Sequence, residues 1–153
     1  MAAPNILCDT KGMDETRWQE CRMHGPKGDI PYTVGGSDVA AIFGVSPWVP
    51  LELWMIKKGR IIPPAKSNPG QLKMGHLLEP IAAYFYGQKT GNTVEDDTNL
   101  YQHADYSYAL ANLDRRFTRK ADGEQGILEC KSCTYHKASD WADGAVPYYY
   151  ELQ

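Results

Sequence analysis

An α+β fold, with helices on the N-terminal side of a mixed, mostly antiparallel sheet, is predicted by three features of the sequence. Gln71 to Thr90 carries a helical stripe (Leu72, Leu77, Leu78, Ile81, Ala82, Phe85, Tyr86) closed by Gly91. Beyond Asn92 the pattern changes to short strand-like runs separated by turn residues. Fourteen glycines and ten prolines interrupt the chain too often for a helical bundle.

Residues 1–12 read as a flexible lead-in and residues 13–153 as one domain. Asp14 to Arg22 forms a short helix, and Met23 to Thr33 a Gly/Pro-rich loop. Gly35-Gly36 lead into a second helix, with Ser37 placed to cap it and Gly44 to end it. Pro50 to Lys58 is a third, with Pro50 at its first position and Gly59 closing it. Ile61 to Gly70 is a loop. In the long helix that follows, Pro80 predicts a kink or an early break. Strands are expected at Thr93-Val94, Asn99 to His103, Tyr108 to Phe117 and Gly126 to Ser132, with Ala121-Asp122-Gly123 turning the last hairpin. Tyr135 to Ala142 forms a final helix.

Composition excludes several classes. A chain of 153 residues buries roughly 68–70% of its unfolded surface, enough for a core. No stretch approaches the roughly 20 apolar residues of a membrane span. Four dispersed cysteines are too few for a disulfide scaffold, and Met1 to Thr10 lack the apolar run of a signal peptide, so a cytoplasmic setting is expected. The net charge of −3 argues mildly against nucleic acid, but its distribution does not. No acid occurs between Leu53 and Leu78, where Lys57, Lys58, Arg60, Lys66 and Lys73 lie, and Arg115, Arg116, Arg119 and Lys120 form a second basic run. A solvated face explains either run alone; two runs flanking candidate acids suggest a groove for a polyanion.

Ile127-Leu128-Glu129-Cys130-Lys131 is the sharpest local feature. On a strand, Glu129 and Lys131 point one way and Cys130 the other. The pair is either a plain ion pair or a metal ligand beside a lysine that orients or activates water. Asp114 precedes Glu129 across the hairpin signal, and two carboxylates held close repel unless a cation lies between them. Oxygen ligands suit Mg²⁺ or Mn²⁺ rather than zinc. Glu79, among Leu77, Leu78 and Ile81, is a third candidate acid; His76, one turn earlier, is a weaker candidate for metal or substrate and reads more simply as a hydrogen-bonded structural histidine. Cys130 and Cys133 lack the further ligands that zinc needs.

Gly35-Gly36-Ser37-Asp38 opens a helix whose first N–H groups attract anions, with Gly36 allowing a phosphate close to the backbone. Arg17 and Arg22 on the preceding helix could add a guanidinium clamp, though a packed Trp18 with both arginines facing water is the simpler arrangement. Trp48, Trp54, Trp141 and Tyr148 to Tyr150 could stack bases, with core packing the default for each.

In order, the pieces Trp18…Arg22, Gly35 to Gly44, Pro50 to Trp54, Gly75 to Pro80, Leu110 to Arg115 and Gly126 to Lys131 resemble the YqaJ-like viral recombinases, the lambda-exonuclease type of phage nuclease. The resemblance spans Trp18 to Gln153, and the ordered set is more specific than any one piece. It implies a restriction-endonuclease-like PD-(D/E)xK core and Mg²⁺-dependent hydrolysis of phosphodiester bonds in double-stranded DNA, with Mn²⁺ as the alternative ion. It also implies 5′→3′ digestion from DNA ends, a homotrimer, a single-strand annealing protein as partner, and a phage or prophage origin in a bacterial host. By the same resemblance Asp114, Glu129 and the Cys130 carbonyl bind metal, Glu79 supports metal or water, and Lys131 serves the nucleophilic water. Ser37, Arg22 and Gly36 would hold the terminal 5′-phosphate.

The chain departs from that pattern in three places. Leu113 stands where the motif has proline, and the loop Met23 to Thr33 separates Arg22 widely from Ser37. Members continue beyond Gln153, which matches the start of a glutamine-containing helix bordering the site, so a core incomplete at its C-terminus is expected. Two rival readings remain at this stage: an endonuclease with the same site, and an inactive DNA-end-binding module.

Overall fold

A computed structural model describes residues 3–46, 49–62 and 69–151. The fold is α+β, and its strands form two three-stranded sheets, ordered β1-β3-β4 and β2-β5-β6, where the sequence suggested one. The elements are β1 (Asn5–Asp9), α1 (Glu15–His24), α2 (Gly36–Ile42), α3 (Pro50–Lys57), α4 (Pro69–Thr90), β2 (Thr93–Asp96), β3 (Asn99–Gln102), β4 (Leu110–Asn112), β5 (Arg115–Thr118), β6 (Gln125–Leu128), a 3-10 stretch (Tyr135–Gly144) and α5 (Tyr148–Glu151). They divide into two compact units, one drawn from Met1–Pro63, Asn99–Ala111 and His136–Gln153, the other from Pro64–Thr98 and Asn112–Tyr135.

In the first unit, β1 forms within the stretch expected to be a flexible lead-in. Its apolar run is just Ile6, Leu7 and Cys8, too short to signal a strand, and pairing with β3 supplies what the local pattern lacks. Leu7 and Cys8 pack with Met13 and Ile30 against the buried trio Cys21, Leu100 and Leu110. Asp14 caps α1 by accepting the Arg17 N–H at 2.8 Å, and Gly25 ends it at φ 72°. The N-cap of α2 is Gly35, not Ser37: the Asp38 carboxylate reaches back one turn to take the Gly35 N–H at 2.8 Å, leaving Ser37 inside the first turn. Pro50 opens α3 as its first residue.

In the second unit, α4 runs 22 residues and continues past Pro80, so the early break that the proline could have caused does not occur. Proline deprives one turn of a hydrogen bond to the His76 carbonyl, and the bonds on either side are enough to carry the helix past it. A Cβ on Gly87 would stand 3.4 Å from the Asn92 carbonyl and 3.6 Å from the Val94 side chain, ordinary contact distances, so this part of α4 packs against β2. The predicted hairpin forms: Gly123 turns at φ 76° and Asp122 accepts the Glu124 N–H at 3.0 Å. The Phe117 ring covers Gly126, its cross-strand partner, and meets Tyr86 edge-on at 5.6 Å.

Two strands are shorter than predicted. Tyr108 to Phe117 divides into β4 and β5 at Leu113-Asp114, because the two halves pair in different sheets. The strand at Gly126 ends at Leu128, so Glu129, Cys130 and Lys131 follow the ladder rather than belong to it. The last predicted helix is a 3-10 stretch with Asp143 at φ 57°. Among the described residues no helix is long and apolar enough to cross a membrane.

Candidate functional site

The chemistry-bearing residues of the second unit gather where β5 and β6 meet. In their antiparallel register Arg115 faces Leu128, and one step further along the same register are Asp114 and Glu129. The Cys130 N–H donates to Asp114 Oδ2 at 2.7 Å, tying the end of one strand to the start of the other. Arg115 is half of a second tie: its Nη1 donates to the Asp114 carbonyl, while its Nε pairs with Asp96 at 2.9 Å. Asp114 is thus held by its side chain and by its backbone.

Beyond the ladder, Lys131 Nζ donates to Glu129 Oε1 at 2.5 Å, so the two side chains share a side although the regular strand has ended. Cys130 is buried. Burial pushes its thiol above the ordinary value; the charges of Asp114, Glu79 and Glu129 push the same way, and Arg115 opposes them. That thiol therefore lies within electrostatic reach of all three carboxylates singled out in the sequence. Glu79 takes His76 Nδ1 at 3.1 Å, an i,i+3 contact on the exposed side of α4.

The donor set is three carboxylates and a backbone carbonyl, hard oxygen ligands of the kind that suit Mg²⁺ or Mn²⁺. Among the described residues no group of three or more His, Cys, Asp or Glu side chains converges closely enough to enclose an ion as it stands. Lys131 ammonium lies on Glu129, a backbone N–H on Asp114 and an imidazole on Glu79. Each carboxylate already has a donor. Asp114, Glu129, Glu79 and the Cys130 carbonyl are the groups that could hold a divalent ion in exchange for those contacts.

A separate cluster occupies the first unit. Arg22 lies over the Trp18 ring, 4.6 Å from its centroid, with Nη2 3.5 Å from Ser37 Oγ. Its guanidinium also lies against Gly35, where a Cβ would meet Nη2 at 3.1 Å. The long loop that separates Arg22 from Ser37 in sequence folds back, and the Thr33 hydroxyl donates to the Arg22 carbonyl to close it. Gly36 is the first residue of α2. Arg17 is not part of this cluster: it reaches the Pro26 carbonyl at 2.7 Å and Glu20 at 3.5 Å.

The basic runs are less available than the sequence suggests. Arg116 pairs with the buried Asp97 at 2.9 Å, and Arg119 pairs with Asp122 and Glu124. Lys57 pairs with Asp38 at 2.7 Å, and Lys58 sits over the Tyr32 ring at 3.9 Å. The arginines of the second run are paired by acids at the end of β2 and in the hairpin turn, which a count of charges cannot reveal because the pairing depends on strand register. The same register hid the role of Arg115, which reads in sequence as one more surface cation. Trp141 and Tyr150 stack on each other at 5.4 Å. Lys66, Trp48 and Gln153 lie outside the described residues, as do the side chains of Tyr148 and Tyr149.

A comparison with family models matches residues 17–153 to the YqaJ-like viral recombinase domain. Among curated proteins, the uncharacterized protein YqaJ of Bacillus subtilis (strain 168) is 35% identical over 149 residues, covering 97% of this chain and 43% of that protein. The chain therefore spans less than half the length of that relative. A match over nearly the whole chain, in which Trp18…Arg22, Ser37, Glu79, Asp114 and Glu129-Cys130-Lys131 all fall, places it: the chain belongs to the YqaJ-like viral recombinase domain family.

Proposed function

We propose that this chain is the nuclease domain of a metal-dependent deoxyribonuclease that hydrolyses phosphodiester bonds of double-stranded DNA, working 5′→3′ from ends in phage-type recombination. The observation that carries the reading is the placement of Asp114 and Glu129 at the open end of the β5–β6 hairpin, with the Cys130 N–H on Asp114 and Lys131 on Glu129. Two acids and a lysine at that end, with Glu79 on α4 as a third acid, are the groups that phosphodiester hydrolysis requires.

A bound Mg²⁺ would polarise the phosphoryl oxygen and lower the pKa of the attacking water. Asp114 and Glu129, with the Cys130 carbonyl, would hold that ion, and Mn²⁺ could take its place. Lys131, beside Glu129, would orient that water and offset the negative charge that develops on the phosphate. Glu79, one turn beyond His76, would support the metal or the water. Arg22, Ser37 and the N–H of Gly36 receive the terminal 5′-phosphate, with the guanidinium held flat on Trp18. A homotrimer, and a single-strand annealing protein to coat the strand left behind, complete this reading.

The test is digestion of linear duplex DNA with Mg²⁺, against EDTA and an Asp114→Asn variant. Mononucleotide release that needs the ion and disappears in the variant supports the proposal. Equal release by wild type and variant overturns the site. Cleavage of covalently closed circles would make the enzyme an endonuclease, and retention of 5′-phosphorylated ends without any hydrolysis would make the domain an end-binding module.

A further inference from the structure

We propose that Cys8 and Cys21 form a reversible disulfide that staples β1 to α1 when a low-molecular-weight disulfide is the oxidant. Two independent features of the first unit bring the pair together. The first is a bulge in β1: Ile6 faces Tyr101 and Cys8 faces Leu100, so Leu7 is an extra residue in the ladder. Successive residues of a regular strand point to opposite faces. Here both Leu7 and Cys8 pack against the same cluster, which contains Cys21, so the bulge has turned Cys8 inward. The second is the make-up of that cluster: Cys8 packs against three buried side chains, Cys21, Leu100 and Leu110, and Cys21 is the one thiol among them.

The two thiols differ in access. Cys21 is fully buried, while Cys8 is partly exposed; both are free thiols in this structure. Cys8 is therefore the entry point. Its thiolate attacks one sulfur of a small disulfide such as oxidised glutathione, forming a mixed disulfide and releasing one glutathione thiolate. The Cys21 thiolate then attacks the Cys8 sulfur, forming the Cys8–Cys21 bond and expelling the second. Two protons leave the protein thiols and end on two glutathione molecules, and the small disulfide takes up the two electrons. Cys130 is buried in the other unit and Cys133 is exposed, so neither has this arrangement.

The bond would close a short loop between a strand and the helix that bears Arg22, the neighbour of Cys21. Closing such a loop restricts the unfolded chain and raises the melting temperature, on the order of 5 °C for a domain of this size.

The experiment uses the full chain, equilibrated across a series of reduced-to-oxidised glutathione ratios, quenched with acid, unfolded, alkylated and mapped by mass spectrometry. The expected result is joint protection of Cys8 and Cys21 as a linked peptide pair, with Cys133 carrying any mixed disulfide and dithiothreitol restoring both thiols. The oxidised chain melts higher than the reduced one; Cys8→Ser and Cys21→Ala both lose that difference, and Cys133→Ser keeps it. Because Cys21→Ala can weaken the core, Cys8→Ser is the deciding variant. Free alkylation of both cysteines at every ratio, glutathione retained on Cys8, or an oxidant-dependent rise that survives in Cys8→Ser would each overturn the proposal.

Discussion

The Cys130 backbone N–H donates to Asp114 Oδ2 at 2.7 Å, across the point where β5 begins and β6 has just ended. That bond gives one carboxylate oxygen a structural duty and leaves the other for chemistry. The two duties separate by substitution. Asp114→Asn retains an oxygen acceptor and should melt within a few degrees of wild type, while its DNA hydrolysis falls at least ~10²-fold. Asp114→Ala loses the acceptor as well, leaving a partly buried N–H unsatisfied at a cost of about 1–3 kcal/mol. Thermal melts paired with a nuclease assay on both variants check this; equal stability of the two would show that the bond does not matter to folding.

Lys131 and Glu129 are both partly open to solvent, and an ion pair of that kind contributes about 0–1 kcal/mol. Lys131→Ala should therefore leave the denaturation midpoint almost unmoved and yet reduce hydrolysis by ~10²- to 10⁴-fold. A Lys131→Ala enzyme as fast as wild type would return the pair to the status of an ordinary surface contact.

Asp97 has a fully buried side chain, and Arg116, half exposed, supplies a guanidinium to it. Arg116→Ala removes that charge from a carboxylate that cannot reach bulk water. The expected loss is about 2 kcal/mol, below the full value for a buried pair because Arg116 itself is well solvated. Arg119→Ala, whose partners are exposed, should change the urea midpoint much less. The comparison of the two midpoints tests whether the arginine paired to a buried acid contributes more than the one paired to exposed acids.

Burial raises the Cys8 thiol pKa; the Cys21 charge, their hydrogen bond and Asp9 add to the shift, and Arg17 opposes it. The folded state therefore keeps a proton that the unfolded chain releases once pH passes the ordinary thiol value of 9.0. The unfolded state then binds fewer protons, so stability is unaffected below that pH and declines as pH rises above it. Cys8→Ser should show a flatter decline. Urea titrations at a neutral and an alkaline pH measure it, and identical slopes for variant and wild type would refute the assignment.

How much of this was legible in the sequence depends on the range of the interaction concerned. Asp14 as a cap, Pro50 as a helix start and Gly123 as a turn are local chemistry, and each could be read directly. Asp114, Glu129 and Lys131 could be proposed as neighbours because one short hairpin separates them. The division of Tyr108–Phe117 into strands of two sheets could not, since each half looks equally strand-like until its partners are known. β1 was hidden for the same reason: its pairing partner β3 lies about ninety residues away. Charge misled most. Arg115, Arg116 and Arg119 look like a cationic face, but β2 and the hairpin turn bring acids to each of them.

Glu79 occupies an unusual place on α4. The proline that follows it withholds a donor from His76, the residue bonded to Glu79 through its imidazole. The one acid of the three not carried by the hairpin thus sits where its helix has one backbone bond fewer, and the imidazole contact to Glu79 spans that same turn.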